Sequence, residues 1–165
     1  MKIFKKLAPL GTLAILLTAT TAFAADQAAL DKLASTNVCQ NCDLSGADLS
    51  NKVLRGADLG GADLTNANLT GANLDMSNLE GAYLKGATMV GTQLNHANLT
   101  NAKLVGVDLT GADLSSAEVV GTILIKSNVK GAKFRGVQFE DFYNYDSNTE
   151  CDTVQSNGTV ANWDC

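Results

Sequence analysis

Cys39-Gln40-Asn41-Cys42 is the one stretch of this sequence whose residue types and spacing invite a reaction. A redox dithiol with that spacing works from a helix N-terminus beside a βαβ unit. Here the motif leads instead into a five-residue tandem. Zinc needs a second pair of ligands, and no such pair stands nearby in the chain. Covalent haem attachment needs a histidine directly after the second cysteine, and Asp43 holds that place. A structural disulfide is the reading that remains. His96 is the only histidine, and no Ser or Cys stands near it at nucleophile–base spacing, so it reads as a surface side chain. The acids Asp43, Asp48, Asp58, Asp63, Asp75, Asp108 and Asp113 suggest calcium at first sight. Calcium wants six to eight oxygens on one point, whereas these acids are spread along the chain and read as solvated faces. The expectation is a non-enzyme with no catalytic residue, no metal and no cofactor.

The elements that carry these residues follow from one period. From Leu44 in steps of five to Phe139 there are twenty positions, all apolar and fifteen of them Leu. Two residues before each centre the chain is small, Ala in twelve cases, with Lys52 the one charged intruder. Two residues after each centre stands Gly in twelve cases and Asn in three. A helix would smear a step of five around its whole surface. A flat strand would turn every second leucine to water. The conflict disappears if the chain turns a corner once per word, with Gly or Asn where positive φ is needed. Four corners close a coil of about twenty residues, and coils stack at the strand spacing of about 4.8 Å. Residues 42–141 are thus expected to form an all-β solenoid of about five coils, roughly 20–25 Å long by that spacing.

The words Ala47-Asp48-Leu49, Ala62-Asp63-Leu64, Ala72-Asn73-Leu74 and Ala112-Asp113-Leu114 resemble the A(D/N)LxG motif of the pentapeptide repeat family. The resemblance implies a right-handed quadrilateral β-helix. It covers about 100 residues and departs from the pattern at Lys52 and in the last coil, where Ile123, Lys126, Phe134 and Phe139 stand. The family's best-known activity is mimicry of duplex DNA by cytoplasmic proteins that bind gyrase. Charge argues against carrying that over. Residues 42–141 hold eleven acids and eight bases, while B-DNA of the same length carries roughly 15 charges.

The chain begins MKIFKKLAPLGTLAILLTATTAFA, with Lys2, Lys5 and Lys6 ahead of an apolar run and Ala22-Phe23-Ala24 at cleavage spacing. That is the layout of a secretory signal peptide, residues 1–24. The expected route is general secretion to the periplasm, with the thylakoid lumen or the extracellular space as alternatives. Without the three leader lysines, nine bases face seventeen acids, a poor composition for holding nucleic acid. No further apolar segment of membrane-spanning length follows, so no membrane attachment is expected after cleavage. Residues 25–41 read as a capping helix, Asp26 to Thr36, followed by the Cys-x-x-Cys. Ala29, Leu30, Leu33 and Ala34 share one face of that helix. Residues 142–165 read as a C-terminal cap with a hairpin around Asn157-Gly158, its Thr153 and Val154 facing Val160 and Ala161. The rod separates the two cysteine pairs by more than a disulfide can span, which leaves Cys39–Cys42 and Cys151–Cys165.

What remains is an exported structural or protein-interaction module, with no small-molecule substrate evident. Its contact surface is expected where the outward pattern of Asp, Asn, Ser and Thr fails. Ile123 and Ile125 flank Leu124, Val105 lies one coil below Ile125, Tyr83 lies two coils below Ile123, and Val120 stands around the corner. An apolar patch of this kind is either covered by the aromatic tail or used to bind a partner or a second copy.

Overall fold

A computed structural model describes residues 25–137, together with the backbone of 143–145, 153–154 and 160–161. The leader, Phe139, Cys151 and Cys165 lie outside the described residues. The first element is the helix α1, Gln27–Thr36. Asp26 caps it by accepting the Ala28 N–H at 3.0 Å, which satisfies one of the donors a helix start leaves open. Asn37 ends it in the left-handed region, its N–H bonded to the Leu33 carbonyl at 2.9 Å. Ala29 and Leu33 are buried and Leu30 is partly so, but Ala34 is exposed, against expectation. The helix meets the rod along a narrow line rather than a broad face.

Beyond α1 the chain pairs with itself every twenty residues. Val38 bridges Asp58, Asp58 bridges Asn78, and Asn78 bridges Asn98, all parallel. Four five-residue words separate each residue from its partner, so a coil has four sides. The bonding within one side is regular. The Leu59 N–H donates to the Asn78 carbonyl at 2.8 Å, and the Asn78 N–H donates back to the Ala57 carbonyl at 2.8 Å. At the following corner the Ala62 N–H closes a turn onto the Leu59 carbonyl at 3.0 Å, with Gly61 at φ 65°. Positive φ at the third residue is the type II pattern. Where successive residues stay extended, three short strands are recognised: β1 (Lys103–Val105), β2 (Ile123–Ile125) and β3 (Tyr143–Tyr145). They stack in the order β1-β2-β3, with Ile123 beside both Lys103 and Tyr143. Two further strands, β4 (Thr153–Val154) and β5 (Val160–Ala161), pair antiparallel, Thr153 with Ala161 and Val154 with Val160.

All nineteen described centres, Leu44 to Phe134, are buried, and so are the small positions between them except Cys42 and Lys52. Cys39 is also fully buried and its N–H bonds the Asp58 carbonyl at 2.7 Å, so the stack begins one word before Leu44. Lys52 is exposed in the first coil, beside a cavity of about 280 Å³ lined by Leu30 and Leu33 of α1 and by Leu49 and Leu54.

Polar residues at inward positions are satisfied by the coil below. Thr92 Oγ1 donates to the Leu69 carbonyl at 2.8 Å, and Thr122 Oγ1 to the Leu99 carbonyl at 2.7 Å. Ser77 Oγ is the exception, buried with no partner. A buried hydroxyl without a hydrogen bond is destabilising by about 1–3 kcal/mol. Ser77→Ala is therefore expected to raise the stability by about 1 kcal/mol, visible as a higher urea midpoint.

Candidate functional site

The outward carboxylates come first, because the sequence left them as solvated surface. Asp43, Asp48, Asp58, Asp63, Asp108 and Asp113 each stand one residue before a centre. Each accepts the backbone N–H two residues on, at 2.9–3.3 Å. These are Asx turns, which give a short polar side chain a structural task. The coil above adds amide donors: Asn68 Nδ2 reaches Asp48 at 3.2 Å and Asn78 Nδ2 reaches Asp58 at 3.0 Å. Asp75, one residue after its centre, accepts both the backbone N–H and Nδ2 of Asn95 at 2.9 Å. An amide stacked on a carboxylate donates to it, which is why the columns mix Asp with Asn. The signal was in the sequence as Asp followed two residues later by Ser or Thr, but it needed the turn to give it meaning.

These bonds move the titration of Asp43, Asp48 and Asp113. The Ser45 hydroxyl and then its N–H hold Asp43 below the usual carboxylate range. The Ser50 hydroxyl and N–H do the same for Asp48. Partial burial pushes Asp113 up, but the Ser115 hydroxyl and N–H, with Lys133, together outweigh it and the carboxyl ends below its ordinary value. A carboxyl whose folded pKa lies below its unfolded value adds stability that is present above the unfolded pKa and is lost as pH falls through the folded one. The urea midpoint is accordingly expected to stay level from pH 7 to about 5 and to decline below about 4. A midpoint that rose on acidification would contradict these turn bonds.

Cys39 and Cys42 form a disulfide with Cα atoms 5.3 Å apart. Cys39 Sγ lies 3.3 Å from the Ala29 carbonyl oxygen of α1, and Asn37 Nδ2 reaches the Arg55 carbonyl at 3.0 Å. The bridge therefore sits under the helix, tied into the first coil. His96 is exposed at a corner, with φ 58°. Among the described residues, no group of three or more His, Cys, Asp or Glu converges on one point. No helix among them is long and apolar enough to cross a membrane.

The five contact-patch residues fall on two sides of the rod. Val105 and Ile125 are direct neighbours in β1 and β2, and Ile123 neighbours Lys103, which in turn bridges Tyr83. The Lys103 ammonium lies 4.4 Å from the centre of the Tyr83 ring, a cation–π contact that shields one face of the tyrosine. Val105, Ile123 and Ile125 are half-buried, while Tyr83 and Val120 are each 45% exposed. Val120 stands on the preceding side, across the Gly121 corner. By backbone register, Tyr143 and Tyr145 of β3 sit beside Ile123 and Ile125 as the next rung of the same sheet. Sequence reasoning missed three other exposed apolar side chains among the described residues, Val38, Val53 at 80% and Met76 at 54%.

The chain is similar to known proteins in sequence and in structure. The family model for pentapeptide repeats matches in eight copies, over residues 38–75, 62–101, 77–115 and 102–141. A pentapeptide repeat protein from the cyanobacterium Cyanothece 51142 (Rfr23) is 26% identical, over 74% of this chain and 97% of its own, with a TM-score of 0.42. One from the Arabidopsis thaliana thylakoid lumen is 33% identical, over 59% of this chain and 61% of its own, at 0.38. Trypsin-treated QnrB1, a plasmid-mediated fluoroquinolone resistance protein, is 19% identical, over 68% of this chain and 69% of its own, at 0.33. No curated protein matches the chain.

Proposed function

The chain belongs to the pentapeptide repeat family, whose fold is the right-handed quadrilateral β-helix, and we propose that it serves as an exported, non-catalytic protein-interaction rod. Its contact surface is the C-terminal part of one side: Tyr83, Val105, Ile123 and Ile125, with Val120 at the edge. The observation that carries this reading is the break in the outward pattern. Elsewhere that side shows Asp43, Ser45, Asp63 and Thr65; towards the C-terminal end it shows Ile123 and Ile125 on one rung, with Val105 beside Ile125 on the rung before. Outward β-branched residues give a sheet face nothing that water rewards, and soluble proteins hide or use such patches.

Export rests on the leader, residues 1–24, with the periplasm as destination or the lumen of a photosynthetic source. The rod has about five coils. Helix α1 is proposed to cover its first end; the cap assigned from the sequence to residues 142–165 and its Cys151–Cys165 bridge lie outside the described residues, apart from the backbone of β3, β4 and β5. Caps are needed because a raw coil edge offers unpaired backbone groups to the next rod. DNA mimicry is disfavoured by the charge, which runs from six acids and two bases in residues 42–81 to four bases and two acids in 122–141. A duplex mimic needs one sign along its whole length.

A paired Ile123→Asp, Ile125→Asp variant tests the contact. If the patch docks a partner or a second copy, association is abolished in sedimentation while the melting of the monomer barely moves. A lowered melting temperature with association unchanged would assign the patch to internal packing and end the proposal.

A further inference from the structure

The side that carries the apolar break also changes charge along its length. Its first two rungs hold Asp43 with Ser45 and Asp63 with Thr65. The next three hold Tyr83 with Lys85, Lys103 with Val105, and Ile123 with Ile125, and Lys126 follows at the corner. Those three rungs contain no acid. Glu80 and Glu118 belong to the preceding side and Asp108 to the following one. Register fixes the layout: Lys103 stands between Tyr83 and Ile123, and Val105 stands beside Ile125. The Gly86 N–H bonds the Val105 carbonyl at 2.9 Å, which sets Lys85 on the rung before Val105. An apolar centre of Val105, Ile123 and Ile125 thus has a lysine on three flanks, and all three lysines are exposed. Among the described residues Arg55 pairs with Asp75 and Lys133 with Asp113, but Lys85, Lys103 and Lys126 have no carboxylate partner. The Lys103 ammonium is held instead 4.4 Å from the centre of the Tyr83 ring.

Given the contact side proposed above, on which this rests, we infer that its partner is an acidic protein surface whose carboxylates ring an apolar centre. The whole chain has seventeen acids against twelve Lys and Arg, so a face with lysines and no acid runs against the rest of the molecule. Such a face repels cationic partners and draws carboxylates. The apolar centre supplies burial, while rim lysines set encounter rate and register more than affinity. The Tyr83 ring restricts the Lys103 ammonium in advance, so less side-chain freedom is lost when a carboxylate arrives. A protein fits better than a lipid surface. Val105, Ile123 and Ile125 lie half-buried in their own sheet, too shallow to enter a bilayer as the large apolar face of an interfacial helix does.

The test is zero-length coupling with a water-soluble carbodiimide, which joins an amine to a carboxylate only where the two already touch. Intact cells making the full chain, with a photo-crosslinker at position 125, are divided into two samples. One is irradiated, the other is treated with carbodiimide, and both sets of adducts are mapped by peptide. Amide bonds are expected from Lys85 or Lys103 to Asp or Glu of the same protein that the photo-probe captures. Lys85→Glu with Lys103→Glu is expected to cut the photo-adduct about tenfold, whereas Lys85→Arg with Lys103→Arg should keep it. A photo-adduct with no amide bond at these lysines, or one that survives the charge reversal, overturns the acidic partner and leaves the contact side standing. Amide bonds only to this chain's own carboxylates, or photo-adducts only with lipid, overturn it as well. Absence of any photo-adduct at position 125 removes the contact side itself, and the acidic partner with it.

Discussion

Leu79→Ala is expected to lower the stability of the rod by about 2–5 kcal/mol. Leu79 is fully buried, with the fully buried Leu59 and Leu99 in the coils on either side. Its N–H is fixed to the Asn98 carbonyl at 2.7 Å. The void cannot close, because each coil is hydrogen-bonded to both neighbours and their spacing is set by the backbone. Asn98→Ala in the next coil is the comparison. Read from the sequence, an outward Asn should matter by less than about 0.5 kcal/mol. The structure revises that, because Asn98 Oδ1 accepts the Thr100 N–H at 2.9 Å and caps its turn. Its loss is now expected to reach about 0.5–1.5 kcal/mol. Urea melts should therefore rank Leu79→Ala well above Asn98→Ala; equal losses would contradict the assignment of inside and outside.

Ala67→Lys should be worse still. Ala67 is fully buried at the inward position before Leu69, and a lysine there leaves an ammonium without water or partner. An uncompensated buried charge is destabilising by about 3–5 kcal/mol, a large part of the roughly 5–15 kcal/mol that holds a domain folded. Cooperative melting is expected to be lost or shifted down by tens of degrees. Lys52 occupies the same place in its word, yet it is exposed. Lys52→Ala should then leave stability unchanged or slightly higher. If Ala67→Lys melted as the parent does, the interior would not be where the leucine ladders place it.

The ladder was legible because a single period carried it: every described centre from Leu44 to Phe134 is inward, as a step of five with one corner per word requires. Cys39 escaped that reading because a cysteine in a Cys-x-x-Cys motif draws attention to chemistry, although it fills a ladder position. The corner was legible where Gly or Asn stood, but Met76, His96, Ser116 and Lys126 carry no hint of positive φ in their identity. Only their place in the count gives it. Asp48 and Asp58 looked solvated because a turn bond to a backbone N–H is invisible until the turn exists. Ala34 was expected inside by helix periodicity and is exposed, because α1 touches the rod along one edge and a periodic face says nothing of contact width. The contact patch is the least legible feature. Ile123 and Ile125 announce an anomaly, and the structure sets Val105 and Lys103 beside them in the same sheet, but an apolar face does not name its partner.

The central claim is that this rod acts through one side, and a photo-crosslinker walked around the last described coil tests it most directly. Positions 120, 125, 130 and 135 place one probe on each of the four sides, because a step of five moves to the next side and twenty residues return to the first. The chain carrying each probe would be irradiated in intact cells and the adducts identified. The strongest adduct is expected at position 125, a weaker one at 120, and none at 130 or 135. Strongest capture at 130 or 135, equal capture on all four sides, or adducts formed only with cytoplasmic proteins would contradict it.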